Sequence, residues 1–213
     1  MNVQEFFYLF DPYDELIKEA DRAFQEIKEK YPEYVKCKIQ CSDCCHAIFG
    51  LFLIEAFFLK YDFENLDTET KKKALERAKQ ADKELENIQK RLEDFKDDPS
   101  MISYILARGR VRCPLLSDDN KCILYPYRPI ICRVYGVPIL SRGNLRVCYK
   151  SGFKKGEKYT SYNLDKTNKE LYSLSKELIK AAGVKDESRA SLIISVSKAI
   201  STPMEKIATG DVL

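Results

Sequence analysis

Along most of the chain, apolar residues recur every three or four positions, a spacing that predicts helices rather than strands. The first helix is expected from Asp11 to about Tyr31, where Leu16, Ala20, Phe24 and Ile27 share one face. Asp11 is placed to cap it, Pro12 suits the first helical position, and Pro32 helps to end it. A second is expected over Ile48 to about Tyr61; IFGLFLIEAFFL is apolar nearly all round and reads as a buried helix. The third, Asp67 to Phe95, has Asp67 or Thr68 as its cap. Its positions Ala74, Ala78, Ala81, Leu85, Ile88, Leu92 and Phe95 step by four and three in alternation, a coiled-coil-like seam. With only ~3 heptads, that seam is expected to pack on a neighbouring helix of the same chain, a dimerisation arm being the alternative.

Pro99 and Ser100 open a short turn of helix to about Leu106. CPLL and KCILY then flank the turn formers SDDN, which predicts a short hairpin with Cys113 and Cys122 on its two arms. Pro129 starts a helical turn carrying Cys132 and Arg133, broken at Gly136 and Pro138. A helix from Leu164 to Ala182 packs through Leu171, Leu174 and Leu178 and stops at Gly183. The last is expected over Asp186 to Ser201, with SLIISVS readable as a strand instead, before Thr202 and Pro203 begin a final turn. The fold class that follows is mainly α: a helical domain with a small irregular or β-hairpin cysteine-rich core. The expected organisation is a single domain over 1–213, its cysteine core at 37–148, a helical insertion at about 67–97 and C-terminal helices at 163–213.

At 213 residues and 45% hydrophobic content, the chain is long enough to bury a core. No segment approaches the ~18 apolar residues of a membrane span, so no membrane partner is expected. The start, MNVQEFFYLFDPYDE, has no basic leader, which makes a reducing cytoplasm the expected location. Net charge is only +3, but it is unevenly spread. Between Arg108 and Lys158, twelve Lys and Arg face three Asp and Glu, an excess of +9 that leaves the rest at −6. Such a block either balances a thiolate-ligated centre or offers an anion site to nucleic acid, a phosphate or a carboxylate. No glycine-rich phosphate loop and no internal repeat is present.

That basic block coincides with half of the cysteines. Cys37, Cys41, Cys44 and Cys45 follow one another at gaps of three, two and zero residues, and Cys113, Cys122, Cys132 and Cys148 form a second group. Buried thiols used as small hydrophobes would be scattered along apolar faces. A disulfide framework suits short secreted chains. Gathered thiolates are what a soft metal ion or an iron–sulfur cluster requires. The second group contains no close pair able to hold a metal by itself, so the two groups are expected to meet in space. Adjacent side chains point in different directions, so Cys44 and Cys45 should not serve one ion. Either two four-ligand centres meet at that pair, or some thiols are bystanders. Cys37-x3-Cys41-x2-Cys44 also has the spacing found in radical S-adenosylmethionine enzymes, but the strands and helices of their partial barrel are not predicted here. The lone histidine, His46, could ligate or hydrogen-bond a cluster sulfur, or simply occupy a loop.

CKIQCSDCC followed by CPLL and KCILYPYRPIICRVYG resembles the YkgJ-type cysteine-cluster family of zinc- or iron-chelating domains. The family pattern, C-x2-C-x2-CC, CP-x-L and C-x-(I/L)-Y-x-x-RP-x-x-CR, falls here on Cys41, Cys44, Cys45, Cys113, Pro114, Leu116, Cys122, Tyr125, Arg128, Pro129, Cys132 and Arg133. The three-residue gap after Cys37 looks like the cluster region of flagellin lysine methylases, which implies an iron–sulfur cluster and protein side-chain modification. The expected site is therefore all eight cysteines, with Arg128 and Arg133 serving the bound group. An iron–sulfur cluster of the [4Fe-4S] type is the first expectation, in a redox-active or side-chain-modifying protein acting on a protein or small molecule. A zinc-stabilised module contacting an acidic protein or nucleic acid is the alternative, nucleic acid being the less favoured partner.

Overall fold

Helix α2 (Leu53–Glu64) is the centre of the packing, because its sequence leaves it almost no polar face to turn toward water. In this computed structural model, which describes residues 3–38, 40–154 and 156–212, nine of its residues are buried, Glu55 and Lys60 among them. Around it lie α1 (Phe10–Lys30), α6 (Leu164–Ala181), α7 (Val196–Ser201) and α8 (Met204–Thr209). Phe57 meets the Phe6 ring at 5.3 Å, and Phe58 stacks on Tyr13 at 5.4 Å. Burying Lys60 is tolerated because its Nζ donates to the Ile200 carbonyl at 2.7 Å and pairs with Glu64 at 2.6 Å. The fold is mainly α, with only short strands.

Helix α2 begins later than its apolar run suggests. Leu51–Phe52 forms β1 and pairs antiparallel with β5 (Ile193–Ile194), Leu51 opposite Ile194. The crossing is tight: a Cβ on Gly50 would meet Ile193 Cγ2 at 2.0 Å. Pairing with β5 also breaks the helix expected over Asp186 to Ser201. That stretch is a 3-10 turn (Glu187–Ser191), then β5, then α7, whose Ser195 cap accepts from the Lys198 N–H. At the other end a 3-10 turn (Val3–Leu9) runs straight into α1, so Asp11 lies in the first turn instead of capping it.

The long helix α3 (Thr68–Asp94) is capped by Asp67, which accepts from the Thr70 N–H at 2.9 Å. Ala74, Ala78 and Ala81 are buried and small enough to bring α7 close, and α3 also contacts α4 (Pro99–Arg108). After the short α5 (Ile130–Val134), a small sheet forms that apolar periodicity did not reveal. β2 (Ile139–Ser141) and β3 (Asn144–Arg146) make a hairpin, and β4 (Tyr162–Asn163) lies parallel to β2. Arg142 and Gly143 both have positive φ, the turn conformation that matches strand twist. Asp165 stabilises it by accepting from the Arg142 N–H at 2.9 Å.

Candidate metal centre

Cys44 and Cys45 sit in a 3-10 turn (Asp43–His46), closed by Cys45 N–H to the Ser42 carbonyl at 3.0 Å. From there the first block grips the second through its backbone. Cys113 N–H donates to the Cys45 carbonyl at 2.7 Å, Val111 N–H to the His46 carbonyl at 3.1 Å, and Ala47 bridges Arg110. Cys113 and Cys122 lie on either side of the expected turn, which holds a single bridge, Leu116 with Cys122, around the Ser117–Lys121 contact at 2.8 Å. Cys132 is carried by α5, whose first N–H, on Ile130, donates to the buried Glu55 at 3.1 Å. Four local devices thus converge, because backbone hydrogen bonds left open in one loop are satisfied by another.

Cys44, Cys45, Cys113, Cys122 and Cys132 line one small cavity, about 20 Å³, with Arg128 at its wall and Phe49, Leu115, Leu124, Pro129 and Val196 supplying apolar surface. Arg128 is held over the Tyr125 ring at 3.7 Å and donates to the Tyr125 carbonyl at 2.9 Å. The Arg133 guanidinium does not line this cavity. It is buried elsewhere, paired with Asp21 at 2.7 Å and donating to the Arg128 carbonyl at 2.8 Å and to the Pro126 carbonyl. Its contribution is to hold the loop that presents Arg128. His46 is also absent from the cavity wall; its Nδ1 is 3.1 Å from the Ser42 carbonyl and braces the 3-10 turn.

The remaining three cysteines lie outside that cavity. Cys37 packs over Gly136, where an added Cβ would meet its Sγ at 2.0 Å, and it is the exposed one of the eight. Cys148 lies beside Asp43, its Sγ donating to Oδ2 at 3.7 Å. Asp43 is 2% exposed, and its other oxygen takes Arg110 at 2.7 Å and Lys150 at 3.6 Å. Sequence reasoning passed over Asp43, because an Asp within CSDCC looks like an ordinary turn former. Its only sequence signal is a lone acid inside the cysteine run of a chain whose second cysteine block is strongly basic.

Residues 36–167 match the model of the CxxCxxCC family, described as a "putative zinc- or iron-chelating domain". The chain belongs to this family. The CxxCxxCC match takes in all eight cysteines and continues into α6. No curated protein and no solved structure matches the chain.

In this CxxCxxCC domain five thiols, Cys44 and Cys45 both among them, share the cavity and the other three lie outside it. Burial pushes Cys113 up to about 12 and raises Cys122, Cys132 and Cys148; Cys37, exposed as a residue but with its Sγ packed against Gly136, is pushed by desolvation to about 11. Within the vicinal pair the Cys45 thiol donates to Cys44, which lowers Cys44 and raises Cys45. Thiols crowded into a dry site resist losing several protons together, and a cation among them removes that resistance. Soft donors, an apolar wall and a guanidinium fit a thiolate-bound metal. Among the described residues, no three His, Cys, Asp or Glu side chains stand as tightly as one ion requires. Zinc holds sulfur at ~2.3 Å, which places its four thiolates about 3.8 Å apart. Four of the five cavity cysteines ride on turns and loops, which can shift outward around a larger group more readily than a helix can.

Proposed function

We propose that this chelating domain carries iron–sulfur chemistry in two thiolate centres that meet at the vicinal pair. The inner centre takes Cys45, Cys113, Cys122 and Cys132, and the outer one Cys37, Cys41, Cys44 and Cys148. The observation that carries the reading is the placement of the eight thiols: five line one cavity, one more than a four-ligand centre uses, and Cys37, Cys41 and Cys148 lie outside it. Both thiols of the vicinal pair line that cavity, and Cys44 is the one assigned to the outer centre. Iron–sulfur is favoured over zinc because the ligands come one at a time from separate elements, without the two short-spaced knuckles of an ordinary zinc ribbon. Such centres, when bound, supply one-electron chemistry. The chain's own residues hold thiolates in a largely water-poor cavity, and Arg128 places a permanent positive charge at its wall.

Part of the basic block is spent within the chain: Arg110 and Lys150 on Asp43, Arg112 on Asp118 and two carbonyls, Arg133 on Asp21. Arg128 at the cavity wall, with Arg110 and Lys150 on the Asp43 that lies beside Cys148, supports a role in balancing the centres over contact with nucleic acid. The outer centre would lie close to the surface at Cys37, a position suited to exchanging electrons with a partner or small-molecule substrate. The test is anaerobic purification followed by visible absorption and iron, zinc and sulfide analysis. Visible absorption with iron and acid-labile sulfide for two centres is expected. A colourless protein loaded with zinc would overturn the reading and leave a zinc-stabilised binding module, because d¹⁰ zinc has no such bands.

A further inference from the structure

Asp43 sits within the cysteine cluster yet has no place among the thiolate ligands. A buried carboxylate is costly unless paired. Here Arg110 lies 2.7 Å and Lys150 3.6 Å from its Oδ1. Arg110 also donates to the Asp43 backbone carbonyl at 3.2 Å, so one guanidinium fixes both the residue and its side chain. Arg110 lies three residues before Cys113, and Lys150 two residues after Cys148. The carboxylate therefore pins the first-block turn to both ends of the second block. Its other oxygen, Oδ2, faces the Cys148 Sγ at 3.7 Å, and Asp43 does not line the inner cavity.

We propose that Asp43, held by Arg110 and Lys150, is the positioning and charge-setting residue of the outer centre: through Lys150 it ties the segment that carries Cys148 to the first block, and it tunes that centre's reduction potential separately from the inner one. This rests on the two-centre iron–sulfur reading. The sign follows from electrostatics. Reduction adds negative charge, which a neighbouring carboxylate disfavours and neighbouring cations favour. Asp43→Asn leaves Arg110 and Lys150 uncompensated and should shift the outer centre's potential upward. Arg110→Gln and Lys150→Gln leave Asp43 less compensated and should shift it downward.

The experiment is a redox titration of the anaerobically purified full chain and these three variants, followed by visible and electron paramagnetic resonance signals, with iron and sulfide counted in each. The expected result is opposite shifts of one wave and a fixed second wave. A merely structural role would lower metal content for all three variants, or shift them in one direction. Either outcome overturns the proposal, as does movement of both waves together. Should Asp43→Asn or Arg110→Gln fail to fold, Lys150→Gln, at a half-exposed position, still decides: an unmoved outer wave refutes the proposal. A zinc-only protein with no wave refutes the underlying two-centre reading, whereas two waves indifferent to these residues refute only the role of Asp43.

Discussion

Glu55 is fully buried, yet its carboxyl joins the N-terminus of α2 to the N-terminus of α5, and its replacement by glutamine should expose a pH-dependent cost. Oε2 accepts from the Phe52 N–H at 3.3 Å and Oε1 from the Ile130 N–H at 3.1 Å. Burial raises its pKa from 4.5 to about 7, with those two donors pulling it partly back. A carboxyl that ionises later in the folded state than in the unfolded one favours folding most at low pH. Its contribution is intact below the unfolded value of 4.5, declines as pH rises, and is lost above about 7. At about 1.4 kcal/mol per unit, the whole change is about 3 kcal/mol. Glutamine stays neutral throughout but has one oxygen for two N–H donors, so a buried donor goes short at a cost of roughly 1–3 kcal/mol. Glu55→Gln should therefore be less stable than wild type near pH 5 and level with it, or more stable, near pH 8. Urea unfolding of both proteins side by side, anaerobically and at matched metal content, measures the difference. A stability difference that stays constant across that range would refute the reasoning. The substitution also loosens Ile130 and with it the α5 seat of Cys132, so on the proposed ligand set metal retention under chelator challenge should fall.

Gly136→Ala should drive Cys37 from its seat, since the new Cβ would lie 2.0 Å from the Cys37 Sγ; iron and sulfide counts should fall by the outer centre's share while helical content holds. Arg133→Ala should destabilise the fold by about 2–4 kcal/mol, because the Arg128 and Pro126 carbonyls lose their donor and Asp21 its partner, as thermal or urea unfolding would report. Arg128→Ala should cost under about 1 kcal/mol of stability, as an arginine held by one ring and one carbonyl, yet lower metal retention under chelator challenge. The reverse ranking of these two variants would contradict the separate roles given to them.

The mainly α class, the helices α1, α3, α5 and α6, and the two cysteine blocks were all legible in the sequence, because each rests on local information. Helical periodicity, Asp67 as a cap, and the turn formers between Cys113 and Cys122 act over a few residues. Arg128 and Arg133 were marked together by the RPIICR motif, and only packing separated them: the first lines the thiol cavity and the second is spent on Asp21 and two carbonyls. The late start of α2 and the broken C-terminal helix depend on pairing between Leu51 and Ile194, residues more than a hundred positions apart. No local periodicity encodes such a pairing. Asp43 is the clearest case. Its neighbours in sequence suggest a solvated turn, but its partners, Arg110, Cys148 and Lys150, arrive from the two ends of the second cysteine block. Residue types fixed which chemistry the chain could hold, since thiolates are soft ligands wherever they lie. Which thiols face one another, and which charges compensate them, was decided only when loop backbones satisfied each other's hydrogen bonds and brought the two blocks together.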